Sequence, residues 1–152
     1  MNTKEALDYA WRWFEYHAGQ RLVAFRFFLI ILGVLVVGLT NSFKDGNVPS
    51  ASVISGAGAF ISFAFLMLEI RNEQLVNVGR DALSSLEESE DFKNLPSQLK
   101  LFHIDRKRPL LLSHKLWLRL IYAACIAAFI VLFLFLCWNP TIVLGPSSGK
   151  GP

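Results

Sequence analysis

Charge is missing from the chain in three stretches: Phe27 to Phe43 (17 residues), Gly46 to Leu68 (23 residues) and Leu120 to Gly149 (30 residues) hold no Asp, Glu, Lys or Arg. About 20 apolar residues at about 1.5 Å each cross the hydrocarbon of a bilayer, so the first two runs are of spanning length. The third contains a span at Leu116 to Trp138, ended by the turn-forming Asn139 and Pro140. The pattern predicts an all-α integral membrane protein with an N-terminal interfacial amphipathic helix, three transmembrane helices and a long cytoplasmic extension of the second. Its segments are a leader (1–20), the first span (21–43), an external loop (44–51), the second span (52–70), a cytoplasmic helical segment (71–115), the third span (116–138) and an external tail (139–152).

The leader reads as a helix over Asn2 to His17, opened by an Asn2 cap with Glu5 three residues on. Leu7, Ala10, Trp11, Trp13 and Phe14 form one stripe, and Lys4, Asp8, Arg12 and Glu15 the other. Such a helix belongs in the headgroup layer, where indole is half wetted, with Trp11 and Trp13 as anchors. Arg21 and Arg26 open the first span and can snorkel to the same interface. The loop around Asn41 to Ser50 is short and rich in turn residues, which makes the first two spans an antiparallel hairpin.

Small residues mark the second span. Ser52/Gly56, Ser55/Ala59 and Gly58/Ser62 stand four apart, and Gly33 and Gly38 notch the first helix. In lipid such faces let backbones approach, because apolar bulk gains nothing by leaving one hydrocarbon for another. They are the expected helix-packing or pore face, and one hairpin cannot use all of it, so a homo-oligomer is expected. The later part of the third span, Phe129 to Phe135, is bulky all round and is expected at the lipid periphery.

Nothing breaks the helix after Leu68. Leu75, Val76, Val78, Ala82, Leu83 and Leu86 continue an apolar stripe at helical spacing, so residues 52 to 88 read as one helix of about 55 Å. Beyond it lie a loop at Ser89 to Pro96, an apolar patch (Leu99, Leu101, Phe102, Ile104) and the triplet Arg106, Lys107, Arg108. With Lys115 the triplet is a candidate for sensing an anionic trigger or holding anionic lipid headgroups, worth about 1 kcal/mol per residue at a membrane surface.

Composition agrees with the pattern: 53% of the 152 residues are hydrophobic and 18% charged, against about 45–50% and about 25% in soluble domains. The charge of +3 is explained by topology. With the N-terminus cytoplasmic, thirteen of fifteen basic residues fall inside and only Lys44 and Lys150 outside, which places the chain in the bacterial inner membrane with its C-terminus periplasmic. The segment 69–119 carries nine bases but eight acids, so it is no polyanion surface and duplex DNA binding is not expected. No cleavable leader is expected at the N-terminus, and the tail from Gly145 to Pro152 is assigned no role. Cys125 and Cys137 fit neither a disulfide framework nor a metal spacing.

Chemistry is sparse. No ionisable residue lies deep in a span, which argues against an ion-coupled transporter. There is no phosphate-binding glycine loop and no paired metal ligands, so no enzyme activity, cofactor or metal is expected. Arg12 to His17 and Arg108 to His114 match the loose Arg-x(4 to 6)-His pattern of HEPN-type ribonucleases, but about 0.5 such matches arise by chance and neither Arg is followed by the family's polar residue. Three helices cannot enclose a water path, so conduction requires several copies around an axis.

Trp13, Phe14, Tyr16, His17, Ala18, Gln20 and Arg21, then Phe25, Phe27 and Phe28, resemble the entry to the first span in a group of small bacterial membrane proteins. Arg71, Asn72, Leu75, Val76, Gly79, Ala82, Leu83, Leu86 and Glu87, with the later Ser113, His114 and Arg119, are similar too. The layout resembles the SLATT class of membrane effectors found beside nucleotide-signalling and other antiphage systems, with a third span added. The resemblance implies an oligomeric pore or membrane-perturbing effector, silent until infection is sensed, whose partners are itself, anionic lipid and a cytoplasmic sensor or nucleotide-type signal. The alternative is a non-conducting membrane scaffold or regulator that anchors a cytoplasmic partner.

Overall fold

The computed structural model describes residues 3–88 and 114–139. Within these, three helices hold nearly every residue: α1 is Thr3–Lys44, α2 is Val48–Glu87 and α3 is His114–Trp138. All three are long and apolar enough to cross a membrane. No turn separates the leader from the first apolar run, since α1 is one helix of 42 residues, about twice what a span requires. The triplet Arg106, Lys107, Arg108 and the apolar patch at 99–104 lie outside the described residues, as does the side chain of Lys115.

The link between α1 and α2 is tighter than the loop expected at 44–51, only Asp45, Gly46 and Asn47. The Gly46 amide donates to the Phe43 carbonyl (3.2 Å) and the Asn47 amide to that of Ser42 (2.9 Å), the paired bonds of a Schellman stop. Gly46 sits there at φ 65°, a conformation that Cβ penalises. Asn47 at once caps the next helix, its Oδ1 accepting from the Ser50 amide at 3.1 Å. One three-residue turn thus ends α1 and begins α2.

The chain forms two compact units, one from Met1–Phe25 with Met67–Leu120 and one from Arg26–Leu66 with Ile121–Pro152. The second is the apolar one. Its core joins Leu39 of α1, Val48 and Ala51 of α2, and Phe129 and Leu136 of α3. Phe28 is buried between Phe65 (ring centroids 5.5 Å apart) and Tyr122 (4.6 Å). Two buried hydroxyls each turn back to their own helix: Ser42 donates to the Gly38 carbonyl and Ser55 to that of Ala51.

Two of the small residues of α2, Gly56 and Gly58, face α3. A Cβ at Gly58 would lie 2.6 Å from Phe129 Cε1, and one at Gly56 would lie 3.6 Å from the ring of Phe133. Phe129 is only 6% exposed. Within the stretch 129–135, expected at the lipid periphery, Phe129 thus turns inward while Phe133 and Phe135 are exposed: a helix that is bulky all round has no polar face to orient it, and the glycines of α2 choose which of its rings turns inward. Ile130, Val131 and Leu134 remain exposed on the other side of α3.

Candidate functional site

The other unit holds the charged chemistry. Glu69 and Glu73 are one turn apart on α2, hence on one face, and both are buried. Arg21 of α1 grips Glu69 through two nitrogens: Nε donates to Oε1 at 2.6 Å and Nη2 donates to the same oxygen. The side chains are 13% and 3% exposed. Arg119 of α3 donates from Nη2 to Glu73 Oε2 at 2.8 Å in a wetter setting, with the arginine 46% exposed. A buried carboxylate needs such a partner, because leaving water without one costs several kcal/mol. Two acids on one helix thus tie down the helices on either side of it in sequence.

The leader packs on the polar extension of α2. The Trp13 indole Nε1 donates to the Leu75 carbonyl at 3.1 Å. A Cβ at Gly79 would lie 3.0 Å from Trp13 Cδ1 and 3.2 Å from the Phe14 Cα, so glycine is what lets the two helices approach here. Ala10, Val76 and Leu83 are buried. His17 lies tilted against Trp13 (centroids 4.6 Å) and meets Tyr16 edge-on (5.2 Å), with its Nδ1 buried and without a hydrogen-bond partner among the described residues.

These contacts redistribute the residues singled out in the sequence. Arg21, expected to snorkel, is in the Glu69 ion pair, and Trp13, expected among headgroups, is on α2. Trp11 and Arg26 are exposed. Ser55, Gly58 and Ser62 are buried, Ser52, Gly56 and Ala59 half-buried, and Gly38 approaches Ile54 Cδ1, 3.3 Å from where a Cβ would stand. Gly33 is open, with nothing within 4 Å of a Cβ built there. Glu69, Glu73, Arg119 and Gly79 were not picked out as site residues. The available signal is a pair of acids four apart directly after an apolar run, with Arg21 and Arg26 ahead of the first run and Arg119 ahead of the third.

Among the described residues no group of His, Cys, Asp and Glu could hold a metal ion. The arrangement's chemistry is electrostatic: four charges that tie three helices together. It belongs to an all-helical protein with three helices of membrane-spanning length and composition. Over 84 residues the chain is 36% identical to CD-NTase-associated protein 19 of Escherichia coli, a match covering 54% of this chain and 56% of that protein. The chain thus matches about half the length of that curated relative. No protein-family model and no solved structure matches it.

Proposed function

We propose that the chain is an oligomeric inner-membrane effector of a bacterial antiphage defence system, conducting ions when triggered from the cytoplasmic side. The observation that carries this reading is the 36% identity to a protein named for its association with a CD-NTase. The SLATT-like layout supports it, as do the three helices of spanning length. In this reading the N-terminus and the polar extension of α2 are cytoplasmic and the C-terminus periplasmic. The segment from Glu69 to Lys115 is the largest polar part, and the short turn at Asp45–Asn47 offers little surface to a ligand, so a trigger acts from the inside. Arg106, Lys107, Arg108 and Lys115 receive its anionic groups.

Conduction requires several copies. Because α3 occupies Gly56 and Gly58 within one chain, the open notch at Gly33 on α1 is the better place for a neighbouring copy. The test follows membrane potential in phage-infected cells carrying the protein and its genomic neighbours, alongside ion flux from liposomes. Wild type depolarises infected cells, and replacing the triplet with Gln abolishes this while expression and oligomer size hold. A triplet variant that depolarises as readily as wild type ends the sensing assignment. Should wild type pass no ions in either assay, the scaffold reading replaces the conducting one.

A further inference from the structure

A groove of about 580 Å³ runs between α1 and α2 within the charged unit, a volume in the range of small-molecule sites. Its chemistry changes along its length. At one end lie Glu15, Tyr16 and Gln20, with Asn72 across from them on α2; at the other lie Val23 and Leu68. Glu15 and Val23 are eight residues apart, about 12 Å along the helix. The apolar end is the one nearer in sequence to the runs at 27–43 and 46–68. Gly19 lines the middle, and a Cβ there would meet no atom within 4 Å, so the missing side chain leaves the floor open.

Glu15 enters no ion pair among the described residues, and Asn72, only 7% exposed, makes no side-chain hydrogen bond among them. A carboxylate beside an exposed phenol ring suits a primary ammonium, which the carboxylate attracts and the ring face supports. The two amides can donate to a phosphate. An ammonium, a phosphate and an apolar continuation, in that order, describe one kind of molecule.

We propose that this groove is a binding site for a single phospholipid with an ammonium headgroup. The ammonium lies at Glu15 and Tyr16, the phosphate takes the Gln20 and Asn72 amides, and the acyl chains leave past Val23 and Leu68. The inference rests on the membrane reading above but not on conduction.

The test reconstitutes the full chain in vesicles of equal parts phosphatidylethanolamine and phosphatidylglycerol, extracts it in mild detergent and measures the lipid retained by native mass spectrometry. Wild type retains one phosphatidylethanolamine in preference to phosphatidylglycerol by about tenfold. Glu15→Gln retains lipid but loses the preference. Gly19→Leu fills the groove and loses the bound lipid, whereas Ala57→Leu, at an exposed position of α2 outside it, does not. Equal retention of both lipids by wild type overturns the proposal, as does a Gly19→Leu protein that keeps its lipid or a Glu15→Gln protein that keeps the preference. A chain that never enters the membrane fraction overturns this and the membrane reading together. A chain that keeps its lipid yet passes no ions overturns only conduction.

Discussion

The ring of Phe129 stands where a side chain of residue 58 would have to be: Cε1, Cδ1 and Cζ lie 2.6, 2.7 and 2.8 Å from a Cβ built on Gly58. Ring and glycine are both buried, so neither can move aside freely. Gly58→Ala therefore overpacks the α2–α3 contact and costs about 1–3 kcal/mol, despite the better helix propensity of alanine. Adding Phe129→Leu recovers part of that loss. Gly33→Ala, facing open space, leaves stability unchanged or raises it. Thermal unfolding of the four proteins in one detergent decides the matter, and equal effects at Gly33 and Gly58 would refute the contact.

What the sequence makes legible is position along the chain, and what it hides is the partner. The spans follow from the lengths of charge-free runs, and the stop at Gly46–Asn47 from local turn chemistry. Phe129 is hidden because a helix of Ile, Val, Leu and Phe has no polar face to oppose. The Arg21–Glu69 and Arg119–Glu73 pairs bridge 48 and 46 residues, so periodicity, which works within one helix, says nothing of them. Trp13 carries a stripe that fits a headgroup layer or a second helix equally well, and Gly79 settles which by removing the side chain that would keep α2 away.

The two ion pairs should differ in weight. Arg21→Met leaves the Glu69 carboxylate buried without its partner, which costs about 3–5 kcal/mol. Arg119→Met removes a half-exposed partner whose place water can take beside Glu73, so it is expected to cost less. Joining Arg21→Met with Glu69→Met should recover most of the first loss, since the uncompensated charge goes too. Denaturation midpoints of these variants check the order, and an Arg119→Met loss matching that of Arg21→Met would reject it.

Gly79 should control whether the leader stays on α2. A methyl group there meets the Phe14 backbone at 3.2 Å, which a rotamer change cannot relieve. Gly79→Ala is expected to loosen residues 3–20 and speed trypsin cleavage at Arg12 severalfold, as local opening becomes cheaper. Trp13→Phe, which loses the bond to the Leu75 carbonyl and keeps most of the ring, should have a smaller effect in the same direction. Limited proteolysis read by mass spectrometry measures both. Unchanged cleavage in Gly79→Ala would show that the close approach does not hold the leader.

The bond from Trp13 to Leu75 also constrains topology independently of charge. Leader and α2 extension form one packed unit, so both must lie on the same side of any membrane the protein crosses. In the proposed topology the turn at Asp45–Asn47, reached from the leader through the apolar run 27–43, lies on the opposite side. Single cysteines at the exposed positions Arg12, Asp45 and Val78, with Cys125 and Cys137 replaced by Ser, report this through a membrane-impermeant maleimide. In the proposed topology, with the N-terminal side cytoplasmic, only the Asp45 position should react in intact spheroplasts. After permeabilisation all three should. Labelling at Arg12 without labelling at Val78 would separate two segments that the indole hydrogen bond joins, and would overturn both the topology and the packing from which it is argued.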